Sequence, residues 1–262
     1  MESLFVIKVG GNVIDDPSVL NQLLTDFAQL KGKKILIHGG GKLATDLAVQ
    51  LGIEQQMVEG RRITDKETLR VVTMVYAGLI NKNIVAKLQA NKCNAIGICG
   101  ADGNSILAHK RVNASIDYGF VGDVDAVNAS FINGILQQET IPVIAPITHD
   151  GKGELLNTNA DTMAQEIAKA MSPYFKVQLV FSFDKPGVLL DKDDDSSVIP
   201  TIDKISFEKL KSANKIVAGM IPKLENAFKA LDQGIETVRL GRAQELSKII
   251  NGDAGTIIIH GK

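Results

Sequence analysis

The sequence predicts an α/β fold built on a mainly parallel sheet with helices on both faces. Short, β-branched apolar runs alternate with amphipathic helical stretches along the chain, which is the pattern of repeated β-α-β units. Several runs are apolar on both faces, the mark of strands buried between two helical layers. The motifs rich in glycine, asparagine and aspartate fall where these runs end, and sheets of this kind bind ligands outside the carboxyl ends of their strands.

Taken in order, the strand candidates are residues 4–9, 34–38, 94–99, 141–147, 177–183, 237–240 and 256–260. The first helix is capped by Asp15 or Asp16 and has Pro17 in its first turn. It carries Leu20, Leu23, Leu24, Phe27 and Leu30 at helical spacing and ends at Gly32. A second helix over 41–51 is expected to bury Leu43, Leu47 and Leu51, with Gly52 as its stop. A third starts at Thr64-Asp65 and extends toward Asn91. A fourth follows Asn159 with Met163, Ile167 and Met171 inward, and a fifth begins near Gly219-Met220-Ile221-Pro222 and buries Leu224, Phe228 and Leu231. Segment 103–130 breaks the alternation, being polar and rich in Gly and Asp, and reads as a β-hairpin or lid. The acidic run 191–195 reads as a solvated loop. Pro173 stops the helix before it, which sets a boundary between two lobes, 1–172 and 173–262.

Composition narrows the class. Of 262 residues, 45% are apolar and 23% charged, enough for a large core and too apolar for wholesale disorder. The 29 basic and 30 acidic residues nearly cancel, so a general electrostatic grip on nucleic acid or anionic lipid is not indicated. A phosphate ligand must then be held by local geometry. Two cysteines, Cys93 and Cys99, make no disulfide framework, and Cys99 in its apolar run reads as a buried, inert thiol. Lys8 interrupts the apolar start, which therefore does not read as a signal peptide. No run approaches the ~20 apolar residues of a membrane span. A reducing cytoplasm is the expected location.

Six motifs carry chemistry. Lys8-Val9-Gly10-Gly11-Asn12 sets a lysine in an apolar strand, where desolvation disfavours it unless an anion pairs with it, and two glycines then expose backbone amides. His38-Gly39-Gly40-Gly41-Lys42 makes an amide-lined loop at a helix N-terminus, an anion site that has neither Walker A nor dinucleotide spacing. Glu59-Gly60-Arg61-Arg62-Ile63-Thr64-Asp65 offers arginines able to grip a carboxylate, or merely surface charge. Asn157-Thr158-Asn159-Ala160-Asp161 opens a helix with Thr158 or Asn159 as cap, which leaves Asn157 without a structural reason. Phe183-Asp184-Lys185-Pro186-Gly187-Val188 follows another buried strand. In Gly219-Met220-Ile221-Pro222-Lys223 a lysine sits in a helix's first turn, against the helix dipole, so either an anion compensates or the side chain swings into water.

Read in order from Lys8 to Lys223, these motifs resemble the amino-acid kinase family, most closely its members that phosphorylate acylated glutamate in arginine biosynthesis. The resemblance implies an open three-layer αβα sandwich of the amino-acid/carbamate kinase type, with acylglutamate bound and dimerisation in the N-terminal lobe and ATP bound in the C-terminal lobe. It implies ATP with Mg²⁺ as substrate complex, no tightly bound cofactor and no protein-held metal, a homodimer, and no nucleic-acid or membrane partner. Carried over by residue, Lys8 and Lys223 stabilise the transferring phosphoryl group and Asp161 orients the two lysines. Gly10, Gly11, Gly40 and Gly41 supply amides near phosphates and substrate. Arg62 and Asn157 hold the α-carboxylate side. Asp184, Lys185, Pro186, Gly187, Val188 and Leu189, with Lys215, Ile216 and Val217, line the nucleotide site. Two departures concern that site: Phe183-Asp184-Lys185-Pro186-Gly187 stands where the family has a Thr-Asp-Val-x-Gly type of loop, and Ala218 stands where an acid is common. Family members inhibited by arginine carry a further N-terminal helix, for which the seven residues before Lys8 leave no room, so arginine feedback is not expected.

The chemistry agrees with the residue types. A side-chain carboxylate, with a pKa near ~4.3, is already ionised at neutral pH and needs no general base as nucleophile. The obstacle is repulsion between two anions, which lysines, amides, helix N-termini and Mg²⁺ relieve. The expected activity is phosphorylation of the γ-carboxylate of an N-acylated glutamate to an acyl phosphate, acetyl by default and succinyl left open. The alternatives are another branch of the family (carbamate kinase, aspartokinase, glutamate 5-kinase, uridylate kinase) or a non-catalytic ligand sensor with the same fold.

Overall fold

In a computed structural model, residues 1–58, 61–113, 115–191, 193–213, 215–216 and 220–261 are described. The strands are β1 (Ser3–Val9), β2 (Lys33–His38), β3 (Met57–Val58), β4 (Arg61–Arg62), β5 (Ala95–Ile98), β6 (Ile106–Lys110), β7 (Val121–Val127), β8 (Ile141–Ile144), β9 (Ile147–His149), β10 (Leu155–Thr158), β11 (Lys176–Phe183), β12 (Thr201–Ile202), β13 (Thr237–Arg242) and β14 (Thr256–Ile258). The α-helices are α1 (Gly11–Ile14), α2 (Pro17–Gln29), α3 (Gly41–Gln50), α4 (Lys66–Thr73), α5 (Asn81–Ala90), α6 (Ala129–Gln137), α7 (Ala160–Met171), α8 (Lys204–Ser212), α9 (Ile221–Asp232) and α10 (Leu246–Asn251). A π-helical segment, Met74–Ile80, joins α4 to α5.

Eight strands form one sheet in the order β12-β14-β13-β11-β1-β2-β8-β5. All pairings are parallel except β13 with β14. The alternation of side chains along a strand divides β1 between two cores. Leu4 and Val6 join α6, α7 and α9 on one face. Phe5, Ile7 and Val9 join α2, α3, the α4–α5 helix and α10 on the other. The result is the predicted αβα sandwich. The expected lobe boundary does not interrupt the sheet, because β11 pairs with the whole of β1.

Local signals account for several helix starts. Asp16, not Asp15, caps α2 by accepting from the Ser18 and Val19 amides, Asp65 caps α4 and Asn159 caps α7. Segment 103–130 contains the antiparallel pair β6–β7, which closes with β9 and β10 into a small barrel.

Four expectations are corrected. The run 141–147 is two strands, since the chain leaves the main sheet after Ile144 and Ile147 opens β9 in the barrel. Helix α3 buries Ala44 and Ala48 completely, packs Leu43 and Leu47 half-buried against the same core and exposes Leu51 by 55%. The helix Lys66–Ala90 is, by length and composition, apolar enough to cross a membrane, and was not foreseen as such. It buries Val71, Val72, Val75, Ile80, Ile84 and Leu88 in one of the two cores. Finally, Cys93 is the buried thiol and Cys99 is half-buried; burial pushes both above their ordinary pKa.

Candidate active site

The site lies where β1, β2 and β11 end. Lys8 shares its strand face with Leu4 and Val6, so it points toward α7, whose first turn carries Asp161. Lys8 Nζ lies 2.7 Å from Asp161 Oδ1, with the lysine side chain 16% and the aspartate 41% exposed. The pair is exposed mainly on its aspartate side, and Lys8 lines both of the cavities beside it.

Two cavities meet at this pair. The larger, about 240 Å³, is lined by Lys8, Gly11, Gly39–Gly41, Arg62, Asn157, Asp161 and a rim from the barrel and the long helix. The smaller, about 60 Å³, is lined by Lys8, Asp161, Gln165, Phe181–Phe183, Lys223, Asn226 and Leu240. Lys8 and Lys223, far apart in sequence, thus face one cavity. Lys223 lies in the first turn of α9 with its ammonium 5.1 Å from the centre of the Phe183 ring, a cation–π contact on the same sheet face as Lys8.

The glycine turns do different work. The Gly10 amide is hydrogen-bonded to Ser182 O at 3.0 Å, so that amide ties β1 to β11 and is not the free donor that was expected. Gly11 and Gly41 each open a helix, where the first amides have no intrahelical acceptor. Gly40 has φ +143°, and a Cβ there would lie 2.1 Å from Ile80 Cδ1, so only glycine fits between the cavity and the helix behind it.

Arg62 is 8% exposed, which excludes the surface-charge reading. Its Nη2 donates to Gly41 O and Thr45 Oγ1, both at 2.9 Å, and its Nη1 donates to Gln55. Asn157 Nδ2 donates to Thr64 Oγ1 at 3.0 Å, which joins the strand before α7 to the segment before α4. Thr64 is bonded in turn to Tyr118 and Phe120 of the barrel loop.

The expected nucleotide residues are placed differently. None of Asp184, Lys185, Pro186, Gly187, Val188, Leu189, Lys215 or Ile216 lines either cavity. The Val188, Leu189 and Ile216 side chains are buried, and Val188 N donates to Thr256 Oγ1. Gly187 is packed so that a Cβ would meet Thr256 Oγ1 at 2.7 Å. Lys185 pairs with Asp195 at 3.7 Å. Pro186 lines a separate cavity of about 310 Å³ with Pro200, Glu245 and Ala254. Val217, with Glu59, Gly60, Lys192, Ala218 and Gly219, lies outside the described residues.

Tyr76, Arg111, Gln165 and Asn226 line the cavities but were not singled out from sequence. Each sits in the middle of a helix or at a hairpin end, where no glycine or cap marks it. Arg111 is held by Asp123 through its Nε at 3.0 Å. The Tyr76 hydroxyl is pushed up by burial, with the adjacent Arg62 opposing. Among the described residues, no three His, Cys, Asp or Glu side chains converge as metal ligands.

A sequence model described as "Amino acid kinase family" matches residues 3–240. The chain belongs to the amino acid kinase family. It is 56% identical over 257 residues to the acetylglutamate kinase of Phocaeicola vulgatus, covering 98% of each chain. It is 56% identical over 246 residues to the acetylglutamate kinase of Parabacteroides distasonis, covering 94% of this chain and 96% of that one. Among solved structures, the N-acetylglutamate synthase of Neisseria gonorrhoeae in complex with coenzyme A and N-acetyl-glutamate superposes with a TM-score of 0.83 at 20% identity. This chain is covered completely and spans 60% of the synthase, so that likeness speaks for the shared fold alone.

Proposed function

We propose that this family member transfers the γ-phosphoryl group of ATP to the γ-carboxylate of N-acetyl-L-glutamate, making an acyl phosphate in arginine biosynthesis. The acceptor follows the names of relatives that share more than half its residues over nearly the whole chain. At that likeness a succinyl acceptor, another branch of the family or a silent sensor is not needed to explain the chain.

The observation that carries the reading is the meeting of the two cavities at Lys8 and Asp161. The larger is assigned to acetylglutamate. Arg62 and Asn157 take its α-carboxylate side, and the Gly11, Gly40 and Gly41 amides face its reacting end. The smaller is assigned to the terminal phosphates. Lys8 and Lys223 then flank the group in transit, and Asp161 holds Lys8 in place. The carboxylate arrives ionised and needs no base, so these cations and amides act by neutralising charge that grows between two anions. ATP enters with Mg²⁺ as one substrate complex. The segments 184–189 and 215–217 are assigned to the rest of the nucleotide, in a C-terminal lobe of residues 173–262, with acylglutamate and the subunit contact in residues 1–172.

The chain is further read as a cytoplasmic homodimer. In support, β5 at the sheet edge pairs only with β8 among the described residues, and Met74 and Leu79 of the long helix are exposed by 46% and 53%. An ADP-release assay against acetylglutamate, succinylglutamate, glutamate and aspartate tests the function. Turnover on acetylglutamate that exceeds the rest is expected. Tight ATP binding with turnover on none of them would overturn it.

A further inference from the structure

Behind the glycine turn, the structure holds a chain of polar groups that substrate chemistry does not require. His38 ends β2 on the face that looks at the long helix, and both His38 and Asn81 are fully buried. Asn81 Nδ2 lies 3.0 Å from Val143 O and 3.2 Å from His38 Nε2. Asn81 Oδ1 accepts from Lys82 Nζ at 3.1 Å, and the same ammonium donates to Gly97 O at 2.7 Å on the edge strand. His38 Nδ1 lies 2.9 Å from Gly39 O.

These partners leave one arrangement of protons. A carbonyl only accepts and an ammonium only donates. Val143 O and Lys82 therefore fix which end of the Asn81 amide is nitrogen. That nitrogen is a donor, so His38 Nε2 must be the acceptor and Nδ1 must carry the hydrogen, which goes to Gly39 O. Gly39 leads into Gly40 and Gly41, and Gly41 O is itself an acceptor for Arg62. A connected path thus runs from Gly97 on the edge strand to the guanidinium in the larger cavity.

The helix is shaped to serve this path. Between α4 and α5 it widens into the π-segment Met74–Ile80, and such turns recur at functional sites. With a wider turn, residues four and five apart come onto one side. Tyr76 lines the cavity, Ile80 fills the space a Gly40 side chain would need, and Asn81 meets His38. Gly97 is glycine for the same reason, since a Cβ there would lie 1.9 Å from Asn81 Oδ1.

We propose that Asn81, locked between Val143 O and Lys82, selects the Nδ1-protonated tautomer of His38 and thereby sets the Gly39–Gly41 turn, making His38 and Asn81 positioning residues for the acceptor cavity. Burial lowers the His38 pKa to about 4, so the ring stays neutral and the tautomer persists at working pH. The kinetic part of the inference rests on reading the larger cavity as the acetylglutamate site; the tautomer does not.

The test has a spectroscopic and a kinetic arm. In ¹⁵N-histidine-labelled enzyme at neutral pH, long-range ¹H–¹⁵N correlation should show His38 protonated on Nδ1; an Nε2-protonated or mixed ring overturns the proposal, whatever the substrate proves to be. Asn81→Asp puts an acceptor opposite Nε2 and should invert the tautomer. It should raise KM for acetylglutamate about tenfold, the scale of one lost hydrogen bond, with KM for ATP within about twofold. His38→Asn keeps a donor near the Nδ1 position and should recover most of the KM that His38→Leu loses. Folded Asn81→Asp with native KM, or His38→Asn as impaired as His38→Leu, overturns the proposal. Gly97→Ala, which touches Asn81 from outside the site, should reproduce the KM rise, and a native KM in it also counts against the lock. If the native enzyme turns over no acetylglutamate, it is the proposed function that fails, and the spectrum still decides the tautomer.

Discussion

Replacing Lys8 by alanine separates the two jobs its ammonium does, because their magnitudes differ. The ground-state job is the 2.7 Å pair with Asp161, whose carboxylate is 41% exposed. Pairs that open to water contribute only about 0.2–1 kcal/mol, so Lys8→Ala should fold with a thermal midpoint within a few degrees of the parent. The transition-state job is contact with a phosphoryl group in a cavity of about 60 Å³ shared with Lys223. Losing one such contact typically lowers turnover on the order of 100-fold or more, about 2.7 kcal/mol of barrier. The assay is steady-state ADP release with acetylglutamate and MgATP varied in turn, beside calorimetry of the same preparations. Turnover should fall by that factor while each KM changes far less. A folded Lys8→Ala enzyme with near-native turnover would refute the assignment, and with it the reading of the two cavities as one reaction path.

Other outcomes follow from the same geometry. Lys223→Ala should behave like Lys8→Ala in turnover, with unchanged turnover removing its role. Arg62→Ala should raise KM for acetylglutamate by roughly 10- to 100-fold, the worth of a charged hydrogen bond, and an effect confined to ATP in the same assay would contradict it. Gly40→Ala should destabilise by about 1–3 kcal/mol, because φ is +143° and the new Cβ meets Ile80; an unchanged denaturant midpoint would count against the strain. For acid stability the sign follows from His38, whose pKa falls from 6.5 unfolded to about 4 folded through burial. Between those values the unfolded chain binds the extra proton, so stability drops as pH falls from about 6.5 to about 4, by roughly 3 kcal/mol in all. Urea titrations of native and His38→Asn protein across that window should diverge by this amount, and parallel curves would show that His38 is not the group responsible.

The strand and helix pattern was legible because its signals are local. The apolar run of β1, Asp16 and Asn159 as caps, and Gly32 and Gly52 with positive φ after their helices all depend on a few neighbouring residues. Lys8 and Asn157 were legible as candidates for a similar reason, since burial or capping logic leaves each without a structural role, whereas Arg62 and Asp161 became candidates only through the family resemblance.

Which residues share a cavity had no local signature. Tyr76, Gln165 and Asn226 sit mid-helix, and only the crossing order β11-β1-β2 and the landing of α7 and α9 on one face bring Gln165 and Asn226 to Lys8. The inward face of α3 was misjudged for the same reason, since hydrophobicity marks Leu47 and Leu51 while the space available admits Ala44 and Ala48. The residue types and their spacing along the chain thus determined the layered sheet and the kinds of chemistry on offer. Tertiary packing alone decided that the Gly10 amide is taken by Ser182, that Asp161 meets Lys8, and that His38 faces Asn81. Distances between side chains far apart in sequence are set by how helices settle on a sheet, and no stretch of neighbouring residues encodes that.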